Sequence, residues 1–177
     1  MIAVQKASKK KDGRLPAFAV APGSGSVHWS SASDSWATPP DFFAQMAIEF
    51  GPFDLDACAS AENAKCDRYY TPAEDGLSQP WTGRVWLNPP YGRTIGLWMR
   101  KAYESAKAGA IVVCLVPART DTAWWHDYAA KGTVRFIRGR LKFEGHHKDA
   151  PFPSAIVVFD FQNAKGEPMP TEKPESL

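Results

Sequence analysis

An α/β fold with a mostly parallel sheet is the fold class the sequence predicts, and three observations predict it. Strand-like and helix-like patterns alternate between residues 36 and 162, the order that builds a parallel sheet with covering helices. The run AIVVCLV at 110–116 is apolar at every position, as a strand buried on both faces must be. The strand pattern RVWL at 84–87 runs directly into a proline loop and then a helical pattern. In such sheets ligands bind beyond the carboxyl ends of strands.

Each element has a local justification. Thr38 is placed to cap a helix, Pro39 and Pro40 suit its first turn, and Asp41 stands where a capping-box acid belongs. Phe42, Phe43, Met46, Ala47 and Phe50 then recur at helical spacing, and Gly51-Pro52 ends the run. FDLDA at 53–57 reads as a short strand, and 61–66 as a short helix. Ile95, Trp98, Met99, Ala102 and Ala106 mark the helix after the proline loop. Residues 122–130 read as a further helix and 134–137 as a strand. Residues 141–143 would pair with that strand across the Arg138-Gly139-Arg140 turn. AIVVF at 155–159 is a last buried strand.

The chain has 177 residues, 44% of them hydrophobic, enough for one domain with a core. Residues 36–162 form that domain. A basic, Gly/Ser/Pro-rich tail at 1–35 and a polar tail at 163–177 flank it and bury little. The net charge of +2 does not by itself announce a nucleic-acid binder, although local charge can differ from the sum. Cys58, Cys66 and Cys114 lack metal-ligand spacing and read as reduced thiols of a cytoplasmic protein. No apolar run approaches the roughly 20 residues that span a membrane, and no signal-peptide core follows the first lysines.

The chemistry concentrates in Asn88-Pro89-Pro90-Tyr91. Two prolines fix φ at successive positions, so the loop is stiff. A stiff loop at a strand's carboxyl end can aim Asn88 Oδ1 and the Pro89 carbonyl at one point. An exocyclic amine has two N–H donors and a lone pair delocalised into its ring. Two acceptors facing those hydrogens favour the pyramidal amine that develops as the lone pair attacks a methyl group. Tyr91 could stack on a base. Alone, such a loop also serves as turn punctuation; its strand-then-helix context favours chemistry.

Asn88 to Tyr91 resembles the catalytic loop of amino-methyltransferases acting on adenine N6, cytosine N4 or glutamine N5. The flanking text resembles a narrower group, the phage-type DNA N-6-adenine methyltransferases of the Dam family. The matching pieces are WATPPDFF at 36–43, FDLDACAS at 53–60, Asn63-Ala64-Lys65, Asp75-Gly76-Leu77 and VWLNPPYG at 85–92. LVPARTDTAWWH at 115–126, FIRGRLKF at 136–143 and PFPSAIVVF at 151–159 complete the series. The resemblance covers about residues 30–160 in order. It implies a class I, Rossmann-like fold that uses S-adenosylmethionine (SAM) and acts on DNA, in the bacterial host cytoplasm if phage-encoded.

The resemblance places Trp36, Thr38 and Pro39 near the methionine end of SAM. Thr38 as a plain helix cap and Trp36 as core are the alternatives. Asp54, Asp56, Ala57 and Cys58 occupy the position of the first SAM-binding loop. Strand alternation would put both acids on one side, where they bind the cofactor or cap the next element. Ala57-Cys58-Ala59-Ser60 stands where the general pattern has a Gly-rich loop, and the stretch to Asn88 is short, so a compacted core is expected. Asp75 resembles the acid facing the adenine ring of SAM, with a loop Asp before a Gly turn as the alternative, and no acid for the ribose stands out. Arg119, at the ligand edge of the sheet, and Arg135, Arg138, Arg140 and Lys142 are candidate DNA contacts; a solvated, charge-protected edge is the other reading of the last four. Trp124 and Trp125 are candidate pocket walls, one of them more naturally core. Methylation of another amine, or DNA binding without catalysis, stays open on sequence alone.

Overall fold

The computed structural model describes residues 36–162, so the tails at 1–35 and 163–177 lie outside the described residues. The elements are α1 (Pro40–Phe50), β1 (Leu55–Asp56), β2 (Arg84–Leu87), α2 (Ile95–Lys107), β3 (Ile111–Pro117), α3 (Ala123–Asp127), β4 (Thr133–Phe136) and β5 (Ser154–Phe159). A single 3₁₀ turn, Ala129–Lys131, follows α3. The five strands form one sheet in the order β1-β2-β3-β5-β4.

The sheet is mixed rather than mostly parallel. β1, β2 and β3 run parallel, but β5 is antiparallel to both β3 and β4. Ser154 pairs with Pro117, so β5 begins where β3 ends and runs back along it. An antiparallel return needs only a loop, whereas a parallel one needs a crossover. An apolar run buried on both faces looks the same in either direction, which is why 155–159 did not disclose its own.

β1 and β2 are parallel, yet no helix forms between them. Turns replace the helix expected at 61–66. Asn63 Oδ1 accepts from Ser60 N and Asp56 Oδ2 from Lys65 N, capturing donors that a helix would have used. The chain then returns beside β1, with Asp56 bridged to Tyr69. The expected helix at 122–130 breaks at Tyr128, whose backbone leaves the helical region at φ −130°, ψ −62°.

The 141–143 strand does not form either. Among the described residues β4 pairs only with β5, and Phe143 turns inward to 1% exposure. Burial of that ring outweighs edge pairing, because a Phe removed from water contributes about 1.5–3 kcal/mol.

The core is continuous across the sheet. Leu55, Val85, Trp86, Leu87, Val113 and Ile156 are fully buried. Phe43 of α1 meets the Trp86 and Phe53 rings at 5.4 and 5.6 Å. The Arg84 guanidinium donates to the carbonyls of Phe50 and Gly51, satisfying the end of α1. Ile95, Trp98, Met99, Ala102 and Ala106 are the buried face of α2, as their spacing predicts. No helix among the described residues is long and apolar enough to cross a membrane.

Candidate active site

Three loops meet at one edge of the sheet because three strands run parallel. Asp56 pairs with Trp86 and Leu87 with Cys114. Residues 57–60, 88–92 and 118–122 therefore leave the same carboxyl edge.

Asn88 is the centre of this edge. Its Nδ2 donates to the Trp36 carbonyl and, at 3.0 Å, to Thr38 Oγ1. A carbonyl can only accept, so the NH₂ end of the amide must face Trp36. Oδ1 consequently faces the other way, where it is buried with no hydrogen-bond partner. A buried, unpaired acceptor costs about 1–3 kcal/mol. Pro89, directly after it, is buried, and Pro90 half-buried.

Thr38 does not cap α1. Pro39 holds the cap position with no side-chain bond, because the Thr38 hydroxyl is committed to Asn88.

The Tyr91 ring is 2% exposed. Its hydroxyl donates to the Leu115 carbonyl at 3.3 Å, and burial raises its pKa well above the usual phenol range. Phe143 and Phe152 pack edge-on against it at 6.0 and 5.5 Å. The same two rings flank Trp36, and His146 stacks on Trp36 at 4.3 Å. Glu144 N donates to the Ala37 carbonyl, and Glu144 pairs with Lys65 at 3.0 Å. Segment 141–152 thus forms a wall over Trp36 and Tyr91. Sequence reasoning missed this wall, since Phe143, His146 and Phe152 share no periodicity. Stacking of a base on Tyr91 requires the wall to move aside.

Asp54 and Asp56 are separated in function by their surroundings. Asp56 is buried. Its Oδ1 accepts from Cys58 N at 3.3 Å and its Oδ2 from Lys65 N at 3.1 Å, tying down the loop at 57–65. Burial pushes its carboxyl up to about 6, against the lowering effect of those two donors and the Lys65 charge. Asp54 is exposed and accepts from Arg84 N at 2.7 Å, at the opposite end of β2 from Asn88. With β1 only two residues long, strand alternation does not bring the two acids together. Burial, and then the Asp56 charge, push the Cys58 thiol well up.

Asp75 is exposed and adopts φ +52°, and its carbonyl accepts from Ser78 N and Oγ. The next residue explains its placement. A Cβ on Gly76 would lie 2.3 Å from the Ala57 carbonyl oxygen, so only glycine lets 75–77 lie against the loop after β1.

The basic candidates divide. Arg119 is exposed just beyond β3, and Arg138, Arg140 and Lys142 are exposed on the loop after β4. Arg135 instead pairs with Glu49 of α1 at 2.6 Å and lies over the Phe50 ring. Trp125 is core, whereas Trp124 is half-buried and lines an open groove of about 400 Å³ with Arg93, Leu97 and Tyr128.

A family model described as DNA N-6-adenine-methyltransferase (Dam) matches residues 25–168. The chain is 35% identical over 139 residues to the DNA N-6-adenine-methyltransferase of Haemophilus phage HP1 (strain HP1c1), covering 73% of this chain and 80% of that one. It is 37% identical over 131 residues to the DNA N-6-adenine-methyltransferase of Escherichia phage T1, covering 60% of this chain. There it spans only 55% of the relative's length. The putative methyltransferase YfdM of Escherichia coli (strain K12) is 38% identical over 65 residues, 33% of this chain and 71% of that protein.

Proposed function

Because the chain belongs to the DNA N-6-adenine-methyltransferase (Dam) family, we propose that it transfers a methyl group from SAM to N6 of adenine in DNA. Residues 36–162 are the methyltransferase domain, and Asn88, Pro89, Pro90 and Tyr91 form its catalytic loop. The observation that carries this reading is Asn88 Oδ1, a buried acceptor without a donor at the carboxyl edge of the sheet. An amine N–H placed there would satisfy it.

The chain's own contribution is alignment and electrostatics. Asn88 Oδ1 accepts one amine hydrogen and the Pro89 carbonyl the other. Both bonds strengthen as the nitrogen pyramidalises and gains positive charge, so they favour the transition state over the planar ground state. No nucleophilic side chain is required. A duplex base must leave the stack to reach this edge. A base stacked on Tyr91 would gain about 1–3 kcal/mol, and Phe143 and Phe152, which pack on that ring, would have to give way to it.

The methyl donor fits the same edge. SAM supplies an electrophilic methyl group on a sulfonium centre. Trp36, Thr38 and Pro39 on the α1 side, and Ala57, Cys58 and Asp75 on the side of the loop after β1, would hold it. The close seat of Gly76 on the Ala57 carbonyl keeps that second side in place. Asp56 acts through the loop it anchors. Asp54, at the far end of β2, takes no part. The turn-filled connection between β1 and β2 supports a compacted class I fold.

Mass spectrometry of nucleosides from DNA incubated with the protein and isotopically labelled SAM tests the reading. Labelled N6-methyl-2′-deoxyadenosine is expected; label only in N4-methyl-2′-deoxycytidine, or only in protein, would overturn it.

Arg119, Arg138, Arg140 and Lys142 are proposed phosphate contacts, while Arg135, already paired with Glu49, serves α1. Each contact on duplex DNA contributes about 0.9 to the slope of log affinity against log salt. Replacing both Arg138 and Arg140 with Gln should flatten that slope by up to about two units without changing SAM affinity. Binding isotherms at several salt concentrations would show it. An unchanged slope would make these arginines a solvated edge.

A further inference from the structure

We infer that Thr38 is a positioning residue for Asn88, acting on the rate of methyl transfer at saturating donor; the inference rests on the catalytic reading of Asn88 above. The amide of an Asn rotates easily, because its χ2 has broad wells. For Oδ1 to meet a substrate hydrogen, that rotation must be stopped. Two acceptors stop it here. The Trp36 carbonyl excludes the flipped amide, which would set oxygen against oxygen. Thr38 Oγ1 takes the second Nδ2 hydrogen at 3.0 Å and sets the angle of the amide plane.

Both ends of the Thr38–Asn88 contact are held stiffly, and by the same means. Thr38 precedes Pro39 and Pro40, as Asn88 precedes Pro89 and Pro90. Pro39 sits at φ −61°, ψ 136°, an extended entry into α1 that leaves the hydroxyl little room to drift. Thr38 is also 3% exposed. Its hydroxyl does not cap the helix, although its position before the helix would suit that use. The contact joins residues 50 apart in sequence and links α1 to the loop after β2.

Thr38→Val keeps the shape and removes the acceptor, whereas Thr38→Ser keeps the acceptor. Single-turnover transfer at saturating SAM and DNA should fall about tenfold in Thr38→Val, the order expected for one hydrogen bond. Thr38→Ser should recover most of that loss, and measuring at saturating SAM keeps any change in donor affinity out of the rate. In an Asn88→Ala background Thr38→Val should have no further effect, as expected for residues acting through one contact. If Thr38→Val does not fold, Thr38→Ala serves in its place, with thermal melting as the check. A raised SAM dissociation constant with an unchanged saturated rate would overturn the inference and make Thr38 a donor-binding residue. An equal loss in the Asn88→Ala background would overturn it too. If Asn88→Ala itself turns over normally, the catalytic reading fails first; if Asn88→Ala is impaired but Thr38→Val is not, only the positioning role fails.

Discussion

Replacing Asn88 with alanine is expected to slow methyl transfer to adenine by on the order of 10²–10³, the usual cost of removing one preorganised acceptor or donor from a charge-developing transition state. SAM binding should survive largely intact, because Ala57, Cys58 and Asp75 do not touch the Asn88 side chain, and Trp36 keeps its ring contacts with Phe143, His146 and Phe152 when the bond to its carbonyl is lost. The structure gives the reason for the size of the effect. Oδ1 is already desolvated and held in place by the Nδ2 contacts to Trp36 and Thr38. No reorganisation is needed when the amine arrives, so the full electrostatic benefit falls on the reaction step. The substitution also removes a buried unpaired acceptor, which offsets part of the loss of those two contacts, and the variant should fold. Single-turnover rates measured beside a SAM titration would check it. Near-wild-type turnover in folded Asn88→Ala would remove the catalytic assignment.

Between pH 4 and 6, Asp56 should make the protein less stable as the pH rises. Burial raises its carboxyl from 3.8 to about 6, so over this interval the folded state holds a proton that the unfolded state has released. Stability falls wherever the folded state binds more protons. The contribution of this group is therefore greatest below pH 3.8 and is lost as the pH approaches 6, after which it no longer changes. Moving the carboxyl from 3.8 to about 6 corresponds to about 3 kcal/mol, or roughly 6–12 °C in Tm for a chain of this size. Other carboxylates titrate in the same range, so the measurement is a difference. The Tm of the wild type minus that of Asp56→Asn, followed from pH 4 to 7, should decline by this amount and then level off. A flat difference would show that Asp56 is charged at little cost. Asn keeps one acceptor for Cys58 N or Lys65 N, so the loop at 57–65 should remain closed.

The positions of α2, β3, β5 and the stiff proline loop were legible in sequence because each is a local matter. Burial on one helical face, burial on both strand faces, and φ fixed by consecutive prolines all leave their mark within a few residues. The place of Asn88 was equally legible, since it follows directly on a buried strand and opens the proline loop. Tertiary structure alone decided which way β5 runs, since a run buried on both faces carries no direction. It also gave Thr38 to Asn88 instead of to the helix it precedes, and separated Asp56, buried and holding a loop, from Asp54, exposed at the far end of β2. Residues 141–143, which read as a hairpin strand among basic residues, instead joined the aromatic wall over Trp36 and Tyr91, because Phe143 gains more by packing than by pairing. In each case the partner lies tens of residues away, and no periodicity within a segment encodes what will be packed against it.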